Sequence, residues 1–170
     1  SPDNVEQYTF GAGTTTLSLT HQYLDDNPTA TSSDDYTIGL TITDDDTGTT
    51  SDTVGVTVDN VAPQLGDLSA TTIDEHGVTT LTGTITDPGT LDTFTLDVNW
   101  GDPLSPDNVE QYTYAVGTTS FSLTHQYLDD NPTATLSDDY TIGLTITDDD
   151  TGTSSDTTTG TVKNVAPQLG

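Results

Sequence analysis

The chain repeats itself: residues 1–66 recur as residues 105–170 at a constant offset of 104, and 55 of these 66 positions are identical. A fixed period is the sequence signature of a tandem array of similar structural units. The sequence contains one whole period, residues 67–170, preceded by roughly the last two-thirds of another, residues 1–66. We therefore expect a complete domain that follows the C-terminal part of a second one, in a polypeptide that is longer in its native form.

Apolar residues within the complete period alternate with polar ones, as in strands that have one buried face. Residues 79, 81, 83 and 85 share such a face, and the period of two recurs in 94–100, 121–123 and 140–146. Clusters of Asp, Gly, Pro and Asn separate these segments, and no segment has the apolar period of a helix. Seven or so short strands in about 100 residues predict an all-β, immunoglobulin-like β-sandwich. Trp100 is expected in its core, and Tyr140 is expected to donate a tyrosine-corner hydrogen bond.

Four segments of the complete period carry a family resemblance: DVNWGDP, THQY, DDYTIGLTITDDDTG and NVAPQL, in that order. Together they resemble the PKD-type immunoglobulin-like repeats of giant bacterial extracellular and adhesin proteins, which are related to cadherin-like and VCBS repeats. The turn at residues 101–103, Gly-Asp-Pro, departs from the Gly-Asp-Gly that is usual in such repeats. The resemblance implies a non-enzymatic spacer or adhesive module of a cell-surface or matrix protein.

The charge of the chain favours a bound cation. It has 28 acidic residues against Lys163 as its one basic residue, for a formal net charge of −27. Like charges repel when the chain is compact, and nucleic acids and anionic membranes both bind through Lys and Arg. The sequence contains no run of about 18 apolar residues that could span a bilayer. The absence of Cys excludes disulfides and thiolate metal sites, and it is compatible with an extracellular location.

Carboxylates concentrate in the predicted turns, where they suit Ca²⁺, because this ion takes six to eight hard oxygen ligands and tolerates irregular loops. The candidate ligands are one loop cluster in each copy (Asp25, Asp26, Asn27, Asp34 and Asp35; Asp129, Asp130, Asn131, Asp138 and Asp139), a second cluster in each copy (Asp44, Asp45 and Asp46; Asp148, Asp149 and Asp150), Asp87 and Asp92 in the complete period, and Asp59 and Asn60 in the linker.

An immunoglobulin-like topology would place these clusters at opposite ends of each domain. Asp87, Asp92 and residues 148–150 would then face residues 25–27, 34 and 35 across the linker 59–63. Two acidic poles at one short joint repel unless cations bridge them, so we expect Ca²⁺ at the joint to fix the angle between successive domains. Pro63 stiffens the linker. Asp59 is replaced by Lys163 in the second copy, which predicts weaker cation binding at the second linker.

Other interpretations of the acidic residues and of the function stay open at this point. Asp is common in solvated turns, Asn131 and Pro132 form a turn pair of their own, and a halophilic protein also carries an acidic surface. The chain could instead be a module that binds a polysaccharide or protein, or a subunit that self-associates into a filament. Catalysis is not expected: His76 lies beside Asp74 and Glu75, where a carboxylate and imidazole pair is possible, but it lacks a nucleophile and a third, orienting group. His125 is expected to be packed and hydrogen-bonded.

The partial first copy lacks the equivalents of the first strands, so its sheet should have an exposed apolar face and bare edges. We expect it to be a segment of a longer chain. Completion by strands of a neighbouring molecule, or poor order, are the alternatives.

Overall fold

The computed structural model describes residues 4–169, and its regular structure consists entirely of strands. The strands are β1 (Ser33–Thr43), β2 (Thr49–Asp59), β3 (Gln64–Ala70), β4 (Ile73–Asp74), β5 (Val78–Thr86), β6 (Phe94–Asn99), β7 (Val109–Tyr114), β8 (Ser120–Gln126), β9 (Ser137–Asp148) and β10 (Thr153–Lys163). The alternating segments of the complete period are thus confirmed as β5, β6, β8 and β9. None of the described residues forms a helix that could cross a membrane.

Strands β3 to β10 form two sheets, while β1 and β2 form an antiparallel hairpin of their own. One sheet has three strands in the order β3-β5-β8, and the other has five in the order β4-β10-β9-β6-β7. All pairs are antiparallel except the short pair of β4 with β10. The chain is therefore all-β, and its sheets are consistent with a β-sandwich.

The core of the complete period lies between these two sheets. Leu81 and Ile85 of the three-stranded sheet are buried in the same cluster as Leu96 and Ile142 of the five-stranded sheet. Trp100, at the end of β6, is fully buried, as the sequence predicts. Burying these side chains supplies the main driving force for association of the two sheets.

Trp100 is held by polar neighbours as well as by packing. Its indole Nε1–H donates to Glu110 (2.7 Å), and its carbonyl accepts from the Tyr127 hydroxyl (2.7 Å). Its ring stacks on His125 with 4.8 Å between ring centroids. His125 also contacts Asp102 (3.4 Å between Nε2 and Oδ2), so this histidine is packed and hydrogen-bonded, as predicted.

Tyr140 makes the hydrogen bond that the sequence predicts. Its hydroxyl donates to the backbone carbonyl of Asp129 at 3.0 Å, and its ring packs against Tyr127 with 4.4 Å between centroids. The bond connects the start of β9 to the loop before it. That loop is therefore fixed at the end of the sandwich where the chain leaves.

Only part of the first copy folds like the second: the hairpin β1–β2 has the same register as β9–β10, but the preceding segments differ. Residues 5–10 and 16–22 correspond to β7 and β8, yet they form no strands. In the second copy these segments pair with β6 and β5, whose counterparts at the offset of 104 are not in the sequence. The apolar side chains of the first copy stay accessible as a result: Leu17 is 45 % exposed, whereas its counterpart Phe121 is 6 % exposed. An open apolar face is what the sequence predicts here.

The linker between the copies is packed against the second one. Strand β2 ends at Asp59 and β3 begins at Gln64, so the last three residues assigned to the first repeat, 64–66, pair with β5. Pro63 is buried, and its carbonyl accepts from the Ser154 hydroxyl at 2.5 Å. The Asn60 side-chain amide donates to Asp148 Oδ2 at 2.9 Å. These contacts hold the first copy close to the loops at one end of the second.

Candidate cation site

Three loops bring seven aspartates together where the two copies meet. We call this set the acidic joint, and its members are Asp25, Asp26, Asp87, Asp92, Asp148, Asp149 and Asp150. Their carboxylates form three groups, and the oxygens of each group lie within 4.8 Å of one another: Asp25, Asp26 and Asp150; Asp87, Asp92 and Asp148; and Asp92, Asp149 and Asp150. Asp92 and Asp150 each belong to two groups, so the three groups are contiguous.

The turn between β9 and β10 presents Asp148, Asp149 and Asp150. Asp148 Oδ1 accepts hydrogen bonds from the backbone N–H groups of Asp150 (3.0 Å) and Gly152 (2.6 Å). Residue 152 has no room for a side chain, because a Cβ atom there would lie 2.4 Å from Asp148 Oδ2 and 2.7 Å from Asn60 Nδ2. The turn and the linker are therefore in direct contact.

The loop between β5 and β6 presents Asp87 and Asp92 to the same space. Asp87 Oδ1 accepts from the Gly89 N–H at 2.8 Å, which shapes the loop. The Thr90 N–H donates to the carbonyl of Leu24 in the first copy at 3.0 Å. The Thr93 N–H donates to Asp149 Oδ1 at 2.7 Å. This loop consequently touches both the first copy and the β9–β10 turn.

The first copy contributes Asp25 and Asp26 from the loop that precedes β1. Asp25 accepts from the Asp26 N–H (2.8 Å) through Oδ1 and from the Asn27 amide through Oδ2. These bonds hold Asp25 in place and leave the Asp26 carboxylate directed at the joint, where it is grouped with Asp150. The Asp26 residue is only 2 % exposed.

Several carboxylate oxygens in the acidic joint are buried without a hydrogen-bond partner. They are Oδ2 of Asp26, Oδ2 of Asp87 and both oxygens of Asp92, which is 1 % exposed. An unpaired buried carboxylate is costly, so such a group either binds a proton or coordinates a cation. Lys163, the one basic residue of the chain, is the last residue of β10, whereas the β9–β10 turn of the joint precedes the first residue of that strand. The joint therefore lacks a protein cation to neutralise it.

The pKa values of the joint reflect the burial of its carboxylates and the repulsion among them. Burial raises the pKa of Asp92 to about 8, with further contributions from Asp25, Asp87 and Asp148. Burial likewise raises the pKa of Asp150 to about 6, with neighbouring aspartates adding to the effect. The pKa values of Asp26 and Asp87 are raised mainly by the same loss of solvation. In each case the environment disfavours the carboxylate unless a cation is bound.

The other predicted ligands lie outside the acidic joint. Asp34 and Asp138 accept from Thr29 and Thr133 within their own loops, and Asp35 and Asp139 accept from Thr57 and Thr161 across strands. Asp44, Asp45 and Asp46 form an exposed turn on the hairpin, in which Asp44 Oδ1 accepts from the Gly48 N–H. Asp59 is exposed, Asn60 orients Asp148, and Asn27 and Asn131 donate to Asp25 and Asp129. Where these side chains make hydrogen bonds, the bonds shape loops and pair strands.

A second group of carboxylates lies at the opposite end of the complete period. We call it the distal cluster, and it consists of Glu75, Asp129 and Asp130. Sequence reasoning singled out Asp129 and Asp130 but missed Glu75, which it noted only as a neighbour of His76. Glu75 joins the cluster because β4 pairs with the last residues of β10, and this parallel pairing has no local sequence signal.

No protein-family model matches the chain, and no curated protein is significantly similar to it. The chemistry of the site therefore has to be inferred from its geometry.

Proposed function

We propose that the chain is part of a tandem array of immunoglobulin-like repeats in which Ca²⁺ ions bind at the acidic joint and fix one repeat relative to the next. In this role the protein is a non-enzymatic spacer or adhesion segment of a long extracellular surface or fibre protein of bacteria, of the PKD-like kind that the sequence resembles. The strand orders of the two sheets support the immunoglobulin-like assignment, since the first two strands of the complete period, β3 and β4, are divided between the sheets, which is compatible with it.

The observation that carries this proposal is the set of buried, unpartnered carboxylate oxygens at the junction of the two copies. The oxygens come from loops that are far apart in the sequence, and both copies contribute to one contiguous set. A cation bound there would join the two copies directly. Seven carboxylates with a combined formal charge of −7 would otherwise repel across the same space.

The ligand chemistry favours Ca²⁺ over other ions. Every grouped side chain at the joint is a carboxylate, whereas Zn²⁺ sites usually include His or Cys. The carboxylates come from irregular loops, which Ca²⁺ accommodates better than Mg²⁺ with its strict octahedral geometry. Asp92 and Asp150 each belong to two groups, so each of them could act as a ligand in both.

The mechanism follows from this charge balance. Without Ca²⁺, the like charges of the joint favour separation of the two copies and protonation of the buried aspartates. With Ca²⁺, the same carboxylates become ligands that hold the loops together, while Asn60 and Pro63 keep the linker against the β9–β10 turn. Extracellular calcium modules typically have dissociation constants of about 10⁻⁴–10⁻³ M, which suits the proposed location.

Chelation tests the proposal directly. We expect EDTA to lower the unfolding temperature of the chain and to broaden the distribution of distances between spin labels placed on the β1–β2 hairpin and on β7. Adding Ca²⁺ should restore both, whereas Mg²⁺ at the same concentration should restore much less. Equal stability and equal distance distributions in EDTA and in Ca²⁺ would refute the proposal.

A further inference from the structure

The distal cluster is built much like one side of the acidic joint. Asp129 and Asp130 are the counterparts of Asp25 and Asp26 at the offset of 104. Asp129 is positioned in the same way as Asp25, because it accepts from the Asp130 N–H (2.9 Å) and from the Asn131 amide (2.6 Å). The two copies therefore present the same pair of carboxylates at the same end of the repeat.

Glu75 adds a third carboxylate to this pair. Its backbone N–H donates to the carbonyl of Lys163 at 2.8 Å, which fixes the loop after β4 beside the end of β10. Its Oε1 atom accepts from the Val165 N–H, which directs the side chain along the outgoing linker. One oxygen each of Glu75, Asp129 and Asp130 lies within 4.8 Å of the others.

An unpartnered buried oxygen points to a ligand at this cluster. Asp130 is 6 % exposed, and its Oδ2 atom is buried without a hydrogen-bond partner. The Asp130 carboxylate is grouped with those of Glu75 and Asp129, so like charges surround a residue whose buried oxygen lacks the hydrogen bond that it would normally make. A cation at this point would satisfy Asp130 Oδ2 and neutralise the group.

We propose that Glu75, Asp129 and Asp130 form a second cation site, which takes a hard divalent ion such as Ca²⁺ at the end of the repeat opposite the acidic joint. The choice of Ca²⁺ rests on the proposed function, whereas the site rests on the distal cluster itself. Three carboxylates leave coordination positions open for water or for groups of a following repeat. Glu75 is thus a ligand at the exit side of the complete repeat.

The distal site should be weaker than the acidic joint for two reasons. It offers three carboxylates where the joint offers seven, and Lys163 stands at the end of β10 where the first copy has Asp59. A positive charge in place of a negative one on the outgoing linker opposes the binding of a cation. Two classes of Ca²⁺ site are therefore expected in one chain.

Calorimetric titration of the 170-residue chain with Ca²⁺ separates these classes. We expect Glu75→Gln to remove the weaker class and to leave the stronger one unchanged, since Gln retains the oxygen that accepts from Val165. Asp150→Asn should weaken the stronger class alone. Asp52→Asn is the control, because this exposed carboxylate belongs to neither group and accepts only from the Thr53 N–H.

A charge reversal tests the same site without removing a ligand. Lys163→Asp should strengthen the weaker class by about fivefold, the size of effect expected for an exposed charge pair worth up to 1 kcal/mol. Wild-type titration curves for both Glu75→Gln and Lys163→Asp would overturn the distal site and leave the proposed function standing. If Asp150→Asn removes the stronger class of Ca²⁺ site and the other two variants do not, that result would support cation binding at the acidic joint independently of the distal site.

Discussion

Replacing Asp92 with Asn should change the stability of the protein in opposite directions with and without Ca²⁺. Asp92 is buried, neither of its oxygens has a partner, and it belongs to two of the three carboxylate groups of the acidic joint. In the metal-free protein its ionised form is therefore unfavourable. If Ca²⁺ binds at the joint as proposed, the same carboxylate would be a ligand in two of the groups.

The expected magnitudes follow from these two environments. At pH 8 without metal, the neutral amide of the variant relieves repulsion and can donate to a neighbouring carboxylate. We expect this to raise the free energy of unfolding by about 2 kcal/mol. For a domain of about 100 residues, that corresponds to a rise of about 8–16 °C in the unfolding temperature. With Ca²⁺ at about 100 times its dissociation constant, the wild-type protein gains about 2.7 kcal/mol, and the variant loses most of this gain. The order of stability of the two proteins should thus invert.

Thermal unfolding followed by the fluorescence of Trp100, the one tryptophan of the chain, measures both effects. Wild type and Asp92→Asn are compared in EDTA and in saturating Ca²⁺, with Asp52→Asn as a control that should behave like wild type in both. A variant that is less stable than wild type in EDTA, or that is stabilised by Ca²⁺ as much as wild type, would refute the reasoning.

Three further predictions concern the same structure. Gly152→Ala should lower the free energy of unfolding by about 1–3 kcal/mol and weaken Ca²⁺ binding, because the new Cβ meets Asp148, Asn60 and the linker. Gly48→Ala on the exposed hairpin meets Asp44, the counterpart of Asp148, but no linker residue is among its nearest contacts, so it should cost less. Denaturant titrations of both variants measure the difference. The stability of the metal-free protein should fall as pH rises from about 4 to 8, since the raised pKa values of Asp150 and Asp92 mean that the folded state binds more protons than the unfolded state in this range. Over the same pH range the affinity for Ca²⁺ should rise, and binding should release protons. Calorimetry in buffers of different ionisation enthalpy would detect that release. A Ca²⁺ affinity that does not change with pH would contradict this prediction. Tyr140→Phe should cost about 1 kcal/mol through loss of the hydroxyl bond to Asp129, measured by urea unfolding, and an unchanged midpoint would count against this bond.

Part of the candidate site could be predicted from the sequence. Runs of Asp in turns identified residues 25, 26, 87, 92 and 148–150, and a sandwich topology predicted that these runs would face one another across the linker. The sequence did not distinguish them from Asp34 or Asp139, which have similar neighbours but accept hydrogen bonds from threonines. That distinction depends on which oxygens are left unpartnered after the loops have folded.

Glu75 shows a different limit. It lies in a short turn segment with no periodicity, and it reaches Asp129 and Asp130 only because β4 pairs with β10 about 90 residues later in the chain. Long-range parallel pairing of two residues leaves no trace in local composition. A carboxylate brought to a site in this way is visible only in the folded chain.

The repeat itself separates what the sequence determined from what the tertiary structure decided. Alternation of apolar and polar residues set which segments can be strands and which face is buried, and it did so correctly for β5, β6, β8 and β9. Residues 16–22 nearly repeat β8, however, and form no strand, because an isolated extended segment has no partner for its backbone N–H and C=O groups and no sheet on which to bury Leu17. The local sequence determined which segments can form strands. Whether a given segment does form one depends on the presence of neighbouring strands with which it can pair.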